Sequence, residues 1–352
     1  MKRKATLSNL SLNGDLAVNY EHAGTDSNDN TTRNALTVEE AFLYLHGPVG
    51  REVSVFTEFK ITPRSQGDNV HASHDETLVV DRAYLETDKL VYDQTLQAGI
   101  VNVFDGMVKE YHHSSDNPLP GNVVFFSNPW AHHDTLHDVL SEAGLKLSGR
   151  SKRVEYQFAL TNGFGDLTPS RTSFDDANFT GGYGRLHYRP FHLEGLGVGV
   201  SYYNAEATAD TQWGAPEDQY LIAELDYVSN SWQFRSLYLR GTQTRGDDTD
   251  GDGLDEEFEN SGSGFVVEGL YNLTETVSSI ARYQEINVDN SDEMAFFGVG
   301  SHHSIADVSQ IEAGLNYAIN DFSELKASWQ VNRETGENTE SDRGFLEWTA
   351  SF

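Results

Sequence analysis

The chain has 352 residues, with 24 Lys and Arg against 55 Asp and Glu, and a formal net charge of −31. So acidic a chain excludes nucleic acid as a partner, because a binder must present bases to phosphates, and it disfavours docking on an anionic lipid surface. With no cysteine, disulfides, thiol catalysis and Cys-ligated haem, zinc or iron–sulfur centres are excluded as well.

No stretch approaches the 18 apolar residues of a membrane-crossing helix. The mean hydropathy of −0.52 reads as water-soluble, but that test is blind to a barrel, in which only every second residue faces lipid. The start, Met1-Lys2-Arg3-Lys4, is basic and no apolar run follows it. We read it as a start whose export signal is missing.

Period-two alternation is the dominant pattern along the chain. Candidate strands run near 12–20 and 38–47, then through Val53, Val55, Thr57, Phe59 and Ile61, then near 78–87, 95–104 and 141–149. The next sets are Val154, Tyr156, Phe158 and Leu160, a segment near 179–189, and Leu196, Val198, Val200 and Tyr202. Leu221, Ala223, Leu225 and Tyr227 precede a segment near 232–242; Phe265, Val267, Gly269 and Tyr271 precede one near 278–287. The series ends with Ile311 to Tyr317, Leu325 to Val331 and Leu346 to Phe352. There are about sixteen segments, each close to the roughly 9–11 residues that cross a bilayer at a tilt.

The links alternate in length by parity. Gly47–Arg51, Asp88–Gln94, Gly149–Lys152, Arg189–Gly195, Val228–Ser231, Asn272–Val277 and Ala318–Phe322 are short. Residues 22–37, 62–77, 105–140, 162–178, 204–219, 243–263, 288–308 and 333–343 form long polar links. A soluble sandwich or propeller has no reason to alternate in this way. The expected fold is therefore all-β: one transmembrane antiparallel up-and-down β-barrel of about 16 strands spanning residues 1–352, with short periplasmic turns and long external loops. Closure also removes the exposed sheet edge.

Behind the terminal Phe352, apolar or aromatic residues recur at every second position, which resembles the recognition signal read by the outer-membrane barrel assembly machinery. Gly264–Asn272 with Ser278–Gln284, and Ala313–Ile319 with Leu325–Gln330, resemble strand pairs of the phosphate-selective porin O/P family. That resemblance implies a porin in the outer membrane of a Gram-negative bacterium, in contact with lipid and lipopolysaccharide and assembled as a homotrimer. In general porins and their relatives the third external loop folds into the lumen. Residues 105–140 match it in position and length, which makes Tyr111, His112, His113, Asp116, Phe125, Phe126, Trp130 and His132 the expected constriction set.

With apolar residues facing lipid, their neighbours face the pore. Lys60, Arg82, Arg185, His187, Arg282 and Lys326 then point inward together with Glu58, Glu86, Glu155, Glu224, Asp226, Glu268, Glu312 and Glu347. A phosphate-selective channel should show bases without compensating acids. The mixed set here implies weak cation preference, with part of the charge paired across strands.

The acidic link 243–263 contains a calcium-type motif: Asp248, Asp250, Asp252, Leu254, Glu256 and Glu259 take ligand positions, and Gly253 supplies the sharp turn. We expect bound calcium there and no organic cofactor. His71, His74, His112, His113, His132, His133, His137, His302 and His303 all fall in long links, mostly as solvated side chains. No GxSxG, HExxH or nucleotide loop occurs, so the chain reads as no enzyme. The expected function is passive diffusion of small hydrophilic solutes or ions. The alternatives are a sheath around a partner electron-transfer cytochrome, periplasmic or at the surface, and a surface receptor or adhesin.

Overall fold

A computed structural model describes residues 10–23, 33–49, 52–61, 79–88, 90, 93–112, 117–120, 141–162, 181–206, 217–247, 256–289, 308–334 and 342–352. They form β1 (Ser11–Ala23), β2 (Arg33–Pro48), β3 (Ser54–Ile61), β4 (Val79–Thr87) and β5 (Gln94–Asn102), then a short helix α1 (Met107–His112). Next come β6 (Ser141–Ser151), β7 (Val154–Thr161), β8 (Gly181–Tyr188), β9 (Leu196–Glu206), β10 (Glu217–Val228) and β11 (Trp232–Asp247). The chain ends with β12 (Glu256–Asn272), β13 (Val277–Val288), β14 (Val308–Asn320), β15 (Ser323–Glu334) and β16 (Arg343–Ser351).

Each strand pairs antiparallel with its sequence neighbours, and β1 pairs with β16, so the sheet closes into a 16-stranded barrel. The seam is fastened at the chain end. Gly14 and Phe352 exchange two backbone hydrogen bonds of 2.9 Å each. A Cβ at Gly14 would stand 2.5 Å from the Phe352 ring, so glycine here is what lets the terminal aromatic seat against the first strand.

Burial is inverted relative to a water-soluble protein. On β14, Glu312 is 0% exposed, while Ile311 and Leu315 on the opposite face are 55% and 51% exposed. The same holds around the wall, with Phe158, Leu186, Tyr202, Leu221, Trp329 and Leu346 outward and Glu58, Arg185, Glu268, Arg282, Lys326 and Glu347 buried inward. In water this would expose large apolar surface and confine charge; against hydrocarbon it does the reverse. Aromatics gather at the short-turn end: Trp232 packs on Tyr271 at 4.4 Å, and Trp348 Nε1 donates to Ser323 Oγ at 2.7 Å. Amphipathic rings of this kind suit the boundary between hydrocarbon and water.

Two expectations need correction. The link 243–263 is mostly strand: β11 and β12 stay in register out to Asp247 opposite Glu256. Thr242, Gln243, Thr244, Ser261 and Ser263 give no apolar alternation, but ladder bonds come from the backbone and need none. The segment near 95–104 stops at Asn102. Val103 and Phe104 leave the wall to be buried inside, and a helical turn follows that six residues are too few to announce by period.

Candidate pore lining

The inward charges expected from the sequence lie on one face of the wall, where nearly all are tied to a partner one or two strands away. Glu268, Arg282 and Glu312 stand opposite one another across β12, β13 and β14. Arg282 Nε donates to Glu268 at 3.0 Å, and Glu312 lies 3.8 Å away. Lys326 and Glu347, directly opposite on β15 and β16, approach to 3.1 Å. Arg82 pairs with Glu58 across β3 and β4, and Glu86 accepts from Gln97 at 2.7 Å. Lys60 sits 5.9 Å from the centre of the Phe42 ring. A charge withdrawn from water is tolerable only when compensated in this way.

Arg185 and Glu224 are not on adjacent strands, since β9 lies between them. Arg185 is registered with Ser201, and Glu224 with Gly199. These two small residues leave the gap across which the guanidinium grips the carboxylate, with Nε at 3.1 Å and Nη2 at 2.6 Å. One step toward the turns the pattern repeats. His187 and Asp226 close over Gly199 and Gly197, with Nε2 2.7 Å from Oδ1. Arg189 Nη1 donates to the other Asp226 oxygen at 3.0 Å, and Glu155 stands 3.9 Å from His187 Nδ1.

The chain leaving β5 runs along this face. Phe104 is fully buried against Tyr183 and Tyr203, with ring centres 5.3 and 5.1 Å away. Met107, Val108 and Tyr111 join it in an apolar cluster with Tyr220, Ile222, Leu237, Leu239, Val266 and Ile286. Gly106 makes the bend at φ +77°, where its missing Cβ would lie 2.5 Å from Glu224 Oε1 and 2.6 Å from Arg185 Nη2. The Met107 amide donates to Glu224 Oε1 at 3.2 Å.

Further along, Tyr111 lies 5.3 Å from the Arg282 guanidinium. Arg282 donates to Asn117 Oδ1, Lys326 Nζ donates to the Asn117 carbonyl at 2.7 Å, and Asn316 Nδ2 donates to the Pro118 carbonyl at 2.8 Å. Between the bend and the turn-side ends of β7, β8, β10 and β11 lies a cavity of about 580 Å³, its lining including Asp105, Glu155, Gln157, His187, Glu224 and Arg235.

Of the expected constriction set, Tyr111 is buried in this cluster and His112 lies on the α1 backbone. His113, Asp116, Phe125, Phe126, Trp130 and His132 lie outside the described residues. In the calcium-type motif, Glu256 and Glu259 lie on β12, in register with Asp247 and Thr244. Asp248, Asp250, Asp252 and Leu254 lie outside the described residues, as do the loop histidines other than His112. Among the described residues no group of three or more His, Asp or Glu could hold a metal ion.

The inward apolar patch was missed by the alternation rule. Its trace in the sequence is a set of runs where apolar residues occupy both parities: Tyr220-Leu221-Ile222, Leu237-Tyr238-Leu239 and Val266-Val267. Such a run says that both faces of the strand are covered, one by lipid and one by protein.

No family model matches the chain, nor does any curated protein, so the resemblance to the phosphate-selective O/P family finds no support there. Solved structures do match. OmpF of Salmonella typhi, solved in complex with daunomycin, superposes with a TM-score of 0.64 at 16% identity, covering 98% of each chain. An anion-selective porin from Comamonas acidovorans gives 0.67 at 11% identity, covering 97% of this chain and 99% of its own. The outer membrane channel DcaP of Acinetobacter baumannii gives 0.65 at 12%, covering 100% and 99%. Identities this low carry architecture alone, and over essentially its whole length the chain has the fold of these outer-membrane channels.

Proposed function

We propose that the chain is an outer-membrane porin, a multi-pass barrel through which small hydrophilic solutes or ions diffuse passively. The observation that carries this reading is the inverted burial, with an apolar face outward and a charged face inward around a closed sixteen-stranded wall. A wall of that strand number encloses a water-filled bore, and flow through it needs no energy source or catalytic group. The bonds from Arg282, Lys326 and Asn316 to residues 117 and 118, and the packing of Phe104, support a segment 105–140 that folds inward and narrows the bore. They also favour a pore over a cytochrome sheath, which needs the same space for its partner.

The inward carboxylates outnumber the inward bases, which supports weak cation preference. Trimeric assembly is supported by OmpT of Vibrio cholerae, a fold relative described in a trimer form. The motif beginning at Asp248 would hold calcium and stiffen the end of the β11–β12 hairpin. The test is reconstitution in planar bilayers. Stepwise conductance, with a reversal potential displaced modestly toward the cation in a salt gradient, is expected. Silence from a folded, inserted barrel rejects the reading.

A further inference from the structure

His187 is nine-tenths buried, yet its Nδ1 has no hydrogen-bond partner. Its other nitrogen is committed. Nε2 lies 2.7 Å from Asp226 Oδ1, and Arg189 holds the second oxygen of that carboxylate. Asp226 is therefore the acceptor from Nε2–H, and in the neutral ring that tautomer leaves the lone pair on Nδ1. A carboxylate that fixes the tautomer of an imidazole while its other nitrogen stays open is the outer-shell arrangement behind metal-ligating histidines.

A second potential ligand stands near Nδ1. Glu155 Oε2, on the adjoining strand, is 3.9 Å from Nδ1. That separation is too long for a hydrogen bond. Two metal bonds of about 2.0–2.2 Å in tetrahedral coordination hold their donor atoms about 3.3–3.6 Å apart, so a side-chain shift of roughly half an ångström by Glu155 lets a single ion bridge the pair. Gly197 and Gly199 make the site possible, because a Cβ at Gly197 would stand 2.6 Å from the His187 ring and one at Gly199 3.1 Å. His187 and Glu155 both line the cavity of about 580 Å³, from which water would complete the coordination sphere. Of the bases around that cavity, Arg185 is bound to Glu224 and Arg189 to Asp226, while Arg235 completes the lining.

We propose that His187 Nδ1 and the Glu155 carboxylate bind a divalent transition-metal cation inside the lumen, with Asp226 as the positioning residue behind the imidazole. One imidazole and one carboxylate prefer zinc or its neighbours to magnesium or calcium, which take oxygen ligands. With two protein ligands the ion keeps part of its water, so it exchanges: this is a station on a permeation path, not a structural centre. The site deepens the pore reading and rests on it for its role, but not for its test.

The test is titration of the folded barrel in detergent with Zn²⁺ alone, calcium being present throughout to fill acidic oxygen sites. Zinc held by other histidines is common to all variants and cancels in the difference. His187→Gln and Glu155→Gln are each expected to lose one zinc equivalent, and Asp226→Asn to weaken that equivalent by about tenfold or more. The heat-modifiable electrophoretic shift confirms that each variant is a closed barrel. Equal stoichiometry and affinity in wild type, His187→Gln and Glu155→Gln overturns the site. A barrel that gives this result and still conducts leaves the pore reading standing.

Discussion

The described part of the segment after β5 is held at two places by different physics. Near β8 to β13 it is held by an apolar cluster around Phe104, in which ring faces and aliphatic side chains do the packing. Near β13 to β15 it is held by Arg282, Lys326 and Asn316, which donate to Asn117 and to the Pro118 carbonyl. The first grip is non-directional and tolerates repacking; the second is directional and depends on every partner being present. A wall that uses both can hold an irregular segment in place while leaving charged groups beside it.

The directional grip is most vulnerable at Arg282. Replacing it by Ala leaves Glu268 and Glu312 buried with their common cation gone, and should cost about 3–5 kcal/mol in reversible urea unfolding from lipid vesicles. Phe104→Ala should cost roughly 3 kcal/mol in the same assay, at the low end for an aromatic because the neighbouring side chains can close in. It should also raise single-channel conductance, since the segment loses its anchor. Gly106→Ala forces a side chain into a left-handed bend and against the Arg185–Glu224 pair, and should cost about 1–3 kcal/mol. The smallest effect belongs to Arg240, an exposed residue 3.7 Å from Asp289, where Ala should change stability by less than about 0.5 kcal/mol. If Arg240→Ala matched Arg282→Ala, burial would not be what sets the value of these pairs.

The barrel was legible because one period governs almost every strand: Ile311, Leu315 and Tyr317 against Glu312 and Asn316 is a complete statement of which side is lipid. The inward charges followed from the same parity. Their pairing was only half legible. Glu268 with Arg282 is a direct cross-strand neighbour, but nothing local reveals that Arg185 reaches over Ser201 and Gly199 to Glu224, because that depends on β9 lying between them. The interior apolar cluster was hidden for a related reason. Ile222 and Val266 face a segment more than a hundred residues away in sequence, so their apolarity looked like noise in an alternating strand. The hairpin beyond Thr242 was hidden because backbone pairing leaves no hydropathy trace.

The chain contains no cysteine, so a single introduced thiol reports on one position without background. The most direct test of the alternation is a charged, membrane-impermeant thiol reagent applied to Gln157→Cys and Phe158→Cys in bilayers. Gln157 lines the cavity and Phe158, its neighbour, is exposed on the outer face. The thiol at 157 is expected to react, its modification changing the single-channel current, while the thiol at 158 stays unmodified. Reaction at 158 with none at 157 would contradict the alternation.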